Sequence, residues 1–511
     1  MSSSCRNHVL LLLAIIAGVM WQLHLVDDGL GTSWPQNVVR NWEQFGFFNL
    51  HGQLVDNPGG YQIDTAPHVY KGMSPLCLWP AFVASQWLAW TGLGTLAFHL
   101  LLTLAVFWAI WDLLGRDNFA FLAAAVAILC PGYDRWQKLL DPNAISVLLG
   151  LPYAAILVAW LKKPRLGVVA WTGIFILTLL FISLNWTTAW VLGPLVLLLL
   201  GLPQVNRRSL GLFVLLAGIG SILFVGVSAM IKAGGGAGGH GNLNLFLSSY
   251  LWGHTGYGEG LTTGKAFGLL AFTNVVGLLT LWLLVAVTLF LNLARGFGSV
   301  LLAPAPLVLA ALDIVVMRNY FGHHPWMAAP VLLAGLVFSL ALLRGRLEHG
   351  EPAAGFKHPA PAKNCQLCLL CALAFFYGLG VLLFFRANET NSLALIRLIR
   401  HHTDRADAIV IVKKTDPQLA QMADRFDELF DRHVVVVDGL NDVPKAGGHV
   451  IILSAVAIDS LAPVANNRGA GAGSASLMRN VSNWFNRNIA RRKPGDRLEL
   501  AEAYYLYEPK P

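Results

Sequence analysis

The chain has 511 residues, of which 56% are apolar and only 13% charged, with a net charge of +8 and a mean hydropathy of +0.58. A water-soluble protein of this length needs more charge to cover its surface, so the composition argues against an ordinary soluble enzyme and for a polytopic membrane protein. The positive balance belongs to loops retained in the cytoplasm, and no basic segment is interleaved with aromatics, so no nucleic-acid partner is expected.

The first apolar run, Val9 to Val26, follows Arg6, lacks a small-x-small cleavage site and is long enough to span, so it reads as a retained anchor. Asp27 and Asp28 follow directly and open a large outer loop over 27–94. A carboxylate beside apolar walls has a raised pKa and serves as a base or a metal ligand. The bland alternative is a pair that merely ends and solvates the span. Further along the loop, "RNWEQFGFFNLHGQLVDNPGG" predicts a helix ending in turn signals, and His68, Tyr70 and Lys71 fall within four residues. That set suits a phosphate or sugar hydroxyls. "PLCLWPAFVASQWLAW" (75–90) is apolar but short and carries prolines at 75 and 80, so it is expected to lie in or dip into the outer interface.

Spans are expected at 9–26, 95–114, 118–130, 144–161, 167–184, 187–203, 210–231, 266–292, 299–317, 326–343 and 365–385. Arg6, Arg116, "KKPR" (162–165), Arg207, Arg208, Arg295, Arg344 and Arg346 mark one side as cytoplasmic. The N-terminus is then inside and the C-terminus outside. The outer loops are 27–94, 131–143, 232–265 and 318–325, together with the tail. Lys71, Arg135, Lys138 and Arg318 consequently lie on the side where basic residues are disfavoured, as a binding site for an anionic group would require; scattered solvated charges are the alternative. Asp134 and Asp141 share the second outer loop, as sugar ligands or as a solvated turn with Asp141 as an N-cap. His323 and His324 sit between Tyr320 and Pro325. Adjacent histidines point in different directions, so a shared metal is not expected from this pair, although one of them could donate to a phosphate.

Three other features carry less. "KAGGGAGGHGNLN" (232–244) reads as a hinge or lid. "GEGLTTGK" (258–265) has the wrong spacing for a phosphate loop, and Ala266 stands where a Ser or Thr is needed. Cys365, Cys368 and Cys371 share a span without partner ligands and read as small apolar residues.

From Arg386 the composition becomes that of a soluble domain. "NSLALIRLIRHH" predicts a helix, "DAIVIV" (407–412) a strand, and "DPQLAQMADRFDELF" (416–430) a helix with Asp416 as N-cap. "HVVVVD" and "HVIIL" predict buried strands, "SLMRNVSNWFNRNIARR" a helix, and "RLELAEAYYLYEP" a closing strand, with "NNRGAGAGSAS" (466–476) a loop. A small α/β domain follows. It carries no catalytic cluster and is expected to pack over the outer mouth and restrict access.

The retained first helix, the acidic pair opening a large outer loop, and "HVYKGMSPLCLWP" leading into an apolar helix resemble the GT-C fold glycosyltransferases, typified by protein O-mannosyltransferases and aminoarabinose transferases. In family members this segment often reads like "HPPL", where Met73 and Ser74 precede Pro75 and Leu76 here. "CPGYDRWQKLLDPNAISVLLG" (130–150) and "MRNYFGHHPWMAAPVLL" (317–333) resemble two later outer loops of the family, but the W-W-D signature of its oligosaccharyltransferase branch is missing. The resemblance implies an α-helical polytopic membrane protein of about 11–13 spans over 1–385 and a soluble α/β extracytoplasmic domain over 386–511.

The implied activity is inverting transfer of a sugar from a polyprenyl-phosphate donor to an acceptor protein, lipid or glycan. It would occur on the outer face of a bacterial inner membrane. Asp27 or Asp28 would act as base or orient the acceptor, and Lys71, Arg135, Lys138 and Arg318 would meet the donor phosphate. His68, Tyr70, Asp134, Asp141, Tyr320, His323 and His324 would contact the substrates. Some members use a divalent cation and others none, so no metal or other cofactor is assigned. A lipid-glycan transporter, flippase or polymerase, or a membrane scaffold, are the competing classes; a transporter needs charges inside several spans, and Asp313 is the main such residue.

Overall fold

The computed structural model describes residues 34–70, 75–88, 91–129, 142–234, 303–317, 321, 327–349, 395, 398–399, 401–421, 423, 431–443, 450–458, 460–461, 463–466 and 504–508. The expected spans at 9–26, 266–292 and 365–385 lie outside these residues, as do 258–265, the three-cysteine cluster, most of the glycine-rich stretch at 232–244 and the helix expected at 476–492.

Two bodies of secondary structure result. The first is helical: α1 (Trp34–Phe45), α2 (Trp79–Leu88), α3 (Thr91–Leu113), α4 (Asn118–Leu129), α5 (Pro142–Leu161), α6 (Val168–Leu184), α7 (Ala189–Gly201), α8 (Arg207–Gly234), α9 (Ala305–Val316) and α10 (Ala328–His349). Asn143–Leu161 and Ala328–Arg346 are long and apolar enough to cross a membrane by length and composition. α4 covers all but the last residue of its expected segment at 118–130, and the residues that follow lie outside the described ones. α2 behaves as its prolines suggest. It has only 10 residues after a turn at Pro75–Cys77, too few to span.

α10 is the centre of the body. It packs against α3, α5, α7 and α9, and every residue from Met327 to Leu343 is buried, as an apolar helix without a polar face must be. The outer helices show the reverse. Val308, Leu312 and Val316 form an exposed stripe on α9, Ile176 and Leu180 are exposed on α6, and Ile222 on α8 is 73% exposed. An apolar surface of this extent is stable against hydrocarbon and not against water.

The second body is a five-stranded sheet: β1 (Ala408–Val412), β2 (His433–Val437), β3 (Val450–Ser454), β4 (Pro463–Asn466) and β5 (Tyr505–Tyr507), in the order β2-β1-β3-β5-β4. The first three strands are parallel, and β5 and β4 add antiparallel. Alternation sends Ile409, Ile411, Val434, Ile451, Leu453 and Leu506 to one face, where Leu395 and Ile399 cover them. Val410, Val412, Ile452, Tyr505 and Tyr507 go to the other, under Val443 and Ile458. Burial on both faces explains why these strands read as unbroken apolar runs. Asp416 caps the short helix α11 (Pro417–Ala420) as expected, accepting from the Leu419 N–H at 3.0 Å, and its second oxygen accepts from the Ala455 N–H at 2.9 Å.

Candidate functional site

The helical body has two chemically different ends. At one, Arg344 pairs with Asp117 at 3.0 and 2.7 Å, Arg116 with Asp112, and Arg207 and Arg346 donate to the carbonyls of Leu200 and Gly201 at 2.6 and 3.1 Å. These arginines were expected on the cytoplasmic side, and the helices bring them together. At the other end lie the N-termini of α3, α5 and α7 and the C-terminus of α6. A buried polar knot joins three of these helix ends: Asn185 donates to Asn143 Oδ1 at 2.6 Å, and the Thr188 hydroxyl to the Asn185 carbonyl at 2.7 Å. The Pro75–Cys77 turn packs on α5 and α6, and Phe321 packs on Trp190 with ring centroids 4.9 Å apart.

The loop between the first expected span and α3 folds into a platform at this end. Trp42, buried on α1, donates its indole N–H to the Gln53 carbonyl at 2.7 Å. Asn41, one residue earlier and equally buried, donates to the carbonyls of Val55 and Asn57 at 2.9 and 3.0 Å. These bonds fold 53–57 back along α1. The strand-like pair Val55 and Val69 then closes the loop, with the Asp56 N–H on the His68 carbonyl at 3.0 Å and the Tyr70 N–H on the Leu54 carbonyl at 2.8 Å. Asn57 fixes the turn between them: it donates to the carbonyls of Tyr61 and Ala66, and accepts from the His68 N–H at 2.7 Å. Phe47 stacks on Phe82 at 5.4 Å and meets Trp79 edge-on at 5.9 Å, holding α2 against the platform.

His68 lies on this platform with its ring 75% exposed and its Nδ1 2.6 Å from Asp56 Oδ1. Burial raises the Asp56 carboxyl above its ordinary range, partly countered by the hydrogen bond and charge of His68. An imidazole oriented through Nδ1 presents Nε2 outward, the arrangement that donates to or accepts from a bound oxygen. Tyr70 is half-buried against the helical core. The other expected site residues, Asp27, Asp28, Lys71, Asp134, Arg135, Lys138, Asp141, Arg318, Tyr320, His323 and His324, lie outside the described residues. The described chain neighbours of Lys71, of the 134–141 group and of the 318–324 group do not scatter: Tyr70 and Pro75, Pro142 with Asn143, and Met317 with Phe321 belong to the end carrying the platform.

The α/β body docks on the same platform around one buried carboxylate. Asp431 is fully buried; its Oδ2 accepts from Arg40 at 2.6 Å and Arg405 at 2.8 Å, and its Oδ1 from the Gly59 N–H at 3.0 Å. Arg405 continues to Gln44 and Asn41 at 2.5 and 2.7 Å. Burial would push the Asp431 carboxyl up, but the charges of Arg40 and Arg405 and the donated hydrogen bonds outweigh it and hold it below the usual carboxylate range. Tyr61 stacks flat on His433 with centroids 3.6 Å apart. Asp56, Arg40, Arg405 and Asp431 were not foreseen as partners. The "DNPGG" turn signal was legible, but nothing local in the sequence ties it to residue 431.

Burial lowers the His433 ring from its ordinary value, so docking is expected to depend on pH. An imidazole relieved of that burial titrates near about 6.5. Docking is therefore at full strength above that value and weakens as pH falls through it towards the depressed docked value, by at most about tenfold per pH unit. Asp431 is shifted downward by Arg40 and by Arg405 of its own unit, so its contribution is present at neutral pH and is lost only in acid. Amide-exchange protection at 59–61, corrected for intrinsic rates, should fall between pH 7.5 and 5. In His433→Phe, which keeps the stack and removes the titration, it should stay level. Equal pH dependence in both proteins would assign the effect elsewhere.

No protein-family model matches the chain, and no curated protein sequence matches it. Among solved structures, ArnT from Cupriavidus metallidurans bound to undecaprenyl phosphate aligns over 82% of this chain and 74% of its own, at 11% identity and a TM-score of 0.46. ArnT from the same organism in the apo state aligns over 88% and 93%, at 12% identity and a TM-score of 0.35.

Proposed function

We propose that the chain is a membrane glycosyltransferase that moves a sugar from a polyprenyl-phosphate donor to an acceptor on the outer face of a bacterial inner membrane. The observation that supports this best is the convergence of described stems. The described segments that flank the loops at 131–143 and 318–325, and the turn that follows Lys71, meet at the end of the apolar body opposite its arginine-rich end, beside a folded platform that carries His68.

In this reading the isoprenoid lies against the apolar helices and its phosphate reaches the outer end. An acceptor hydroxyl attacks the anomeric carbon with inversion, the bond from that carbon to the phosphate oxygen breaks, and polyprenyl phosphate leaves. Asp27 or Asp28 takes the hydroxyl proton or orients the acceptor. The negative charge that develops on the phosphate needs cations around it, a role given to Lys71, Arg135, Lys138 and Arg318. His68, steadied by Asp56, offers Nε2 to a phosphate or sugar oxygen. Tyr70, Asp134, Asp141, Tyr320, His323 and His324 supply the remaining polar contacts to the substrates.

The test is direct. Purified protein in lipid vesicles is incubated with a panel of radiolabelled polyprenyl-phosphate sugars and an extract of acceptor lipids, glycans and proteins. One donor should be consumed, with its label appearing in a new glycosidic linkage. Movement of label across the bilayer with no new linkage would instead mark a transporter and end the transferase reading.

A further inference from the structure

We propose that the C-terminal α/β unit is a positioning clamp for the first outer loop, with Arg40, Arg405 and Asp431 as the positioning residues that hold His68 in place. This rests on the glycosyl-transfer reading and deepens it.

A continuous hydrogen-bond path supports the assignment. Arg405, on the α/β unit, holds Asn41 Oδ1 at 2.7 Å. The other end of the Asn41 amide holds the carbonyls of Val55 and Asn57. Asn57 in turn accepts from the His68 N–H at 2.7 Å, and Asp56, between Val55 and Asn57, engages the His68 ring. Displacing Arg405 therefore loosens both the backbone and the ring partner of His68. The path starts at Asp431, because its carboxylate fixes the Arg405 guanidinium through Nε and Nη2 at 2.8 and 3.2 Å.

The contact is specific in shape as well as charge. Asp431 adopts a φ of 52°, uncommon for any residue with a Cβ. Opposite it, Gly59 has a φ of +59°, and a Cβ there would sit 2.6 Å from the Arg405 carbonyl oxygen. Glycine enters this region freely and aspartate more readily than most residues, so what fixes the fit is the space: position 59 admits no Cβ against the Arg405 carbonyl. The charges are also uneven. Arg40 and Arg405 face a single carboxylate, and Arg432 alongside is buried against Thr403. Removing the carboxylate strands arginines facing one another, whereas removing Arg40 leaves the carboxylate still paired.

The experiment uses the full chain in vesicles. Asp431→Asn should abolish amide-exchange protection at 59–61 and lower transfer about tenfold, as His68→Ala should by itself. The double variant should be no worse than the lower single one, because His68 is already misplaced once the clamp is open. Multiplying effects in the double variant would overturn the proposal. A second arm guards against simple misfolding. With the native cysteines replaced by alanine, Tyr61→Cys and His433→Cys are joined by a short bis-maleimide in the Asp431→Asn protein. Transfer should recover towards that of the parent on cross-linking; a cross-linked protein that stays impaired would overturn the clamp. Should no donor be consumed even by the unaltered chain, the transferase reading fails. The clamp is still judged by protection at 59–61, and unchanged protection in Asp431→Asn would overturn it alone.

Discussion

Exchanging Asp27 and Asp28 together for asparagine is expected to lower sugar transfer by a factor of about 10²–10⁴, the range that a positioned acid or base contributes, while insertion and donor binding persist. Asparagine keeps the shape and much of the hydrogen bonding of aspartate but cannot accept the acceptor's proton near neutral pH. The two side chains are adjacent in sequence, and either could partly cover for the other, so the double change is the decisive one. The size of the loss also separates roles: a residue that only orients the acceptor raises KM, whereas a base lowers kcat at saturating acceptor. Initial rates at saturating donor, normalised to the amount of folded protein in the vesicles, give the answer. A double variant within about threefold of the unaltered protein would remove these carboxylates from the chemistry.

What the sequence disclosed divides along a physical line. Features set by neighbours in the chain were legible. Asp416 before Pro417 is a helix start, and the cap is made; the β-branched runs around 410, 435 and 451 are strands; the glycines of "DNPGG" take positive φ at 59 and 60. Prolines at 75 and 80 announced a segment too broken to cross a bilayer, and α2 is short. Features set by distant partners were not legible. β4 is four residues long, begins with proline, and exists as a strand because β5, some forty residues later, pairs with it. Asp56 becomes the partner of His68 only when Val55 pairs with Val69. Arg40 and Asp431 are 391 positions apart, and no periodicity can pair them. The α/β unit was expected to cover the outer mouth; a buried charge that grips the platform beneath it could not be read from composition. The acidic pair and the four candidate cations, Lys71, Arg135, Lys138 and Arg318, lie outside the described residues.

Gly335→Leu is expected to destabilise the helical body by about 3 kcal/mol or more, above the usual range for an overpacked core, because the obstruction includes backbone. A Cβ at position 335 would meet Ala310 Cβ at 2.7 Å, Leu307 Cα at 3.1 Å and the Pro306 carbonyl oxygen at 3.2 Å. α9 and α10 therefore touch nearly backbone to backbone, the close approach that small residues allow between helices in a membrane. One turn further along α10, the Ser339 hydroxyl accepts from the Leu307 N–H at 3.1 Å and satisfies a donor in the first turn of α9. Prying the helices apart at 335 breaks this bond too, so the loss exceeds the steric term. Gly211, on α8, has nothing within 4 Å of its Cβ position, and Gly211→Leu serves as the control. There the helix gains up to about 1 kcal/mol in propensity and meets no obstacle, so its melting temperature should hold or rise. Thermal unfolding in detergent, followed by the fraction of monodisperse protein, should thus move in opposite directions for the two leucines. Equal shifts would mean that α9 and α10 do not meet at Gly335, and α10 would lose its place at the centre of the body.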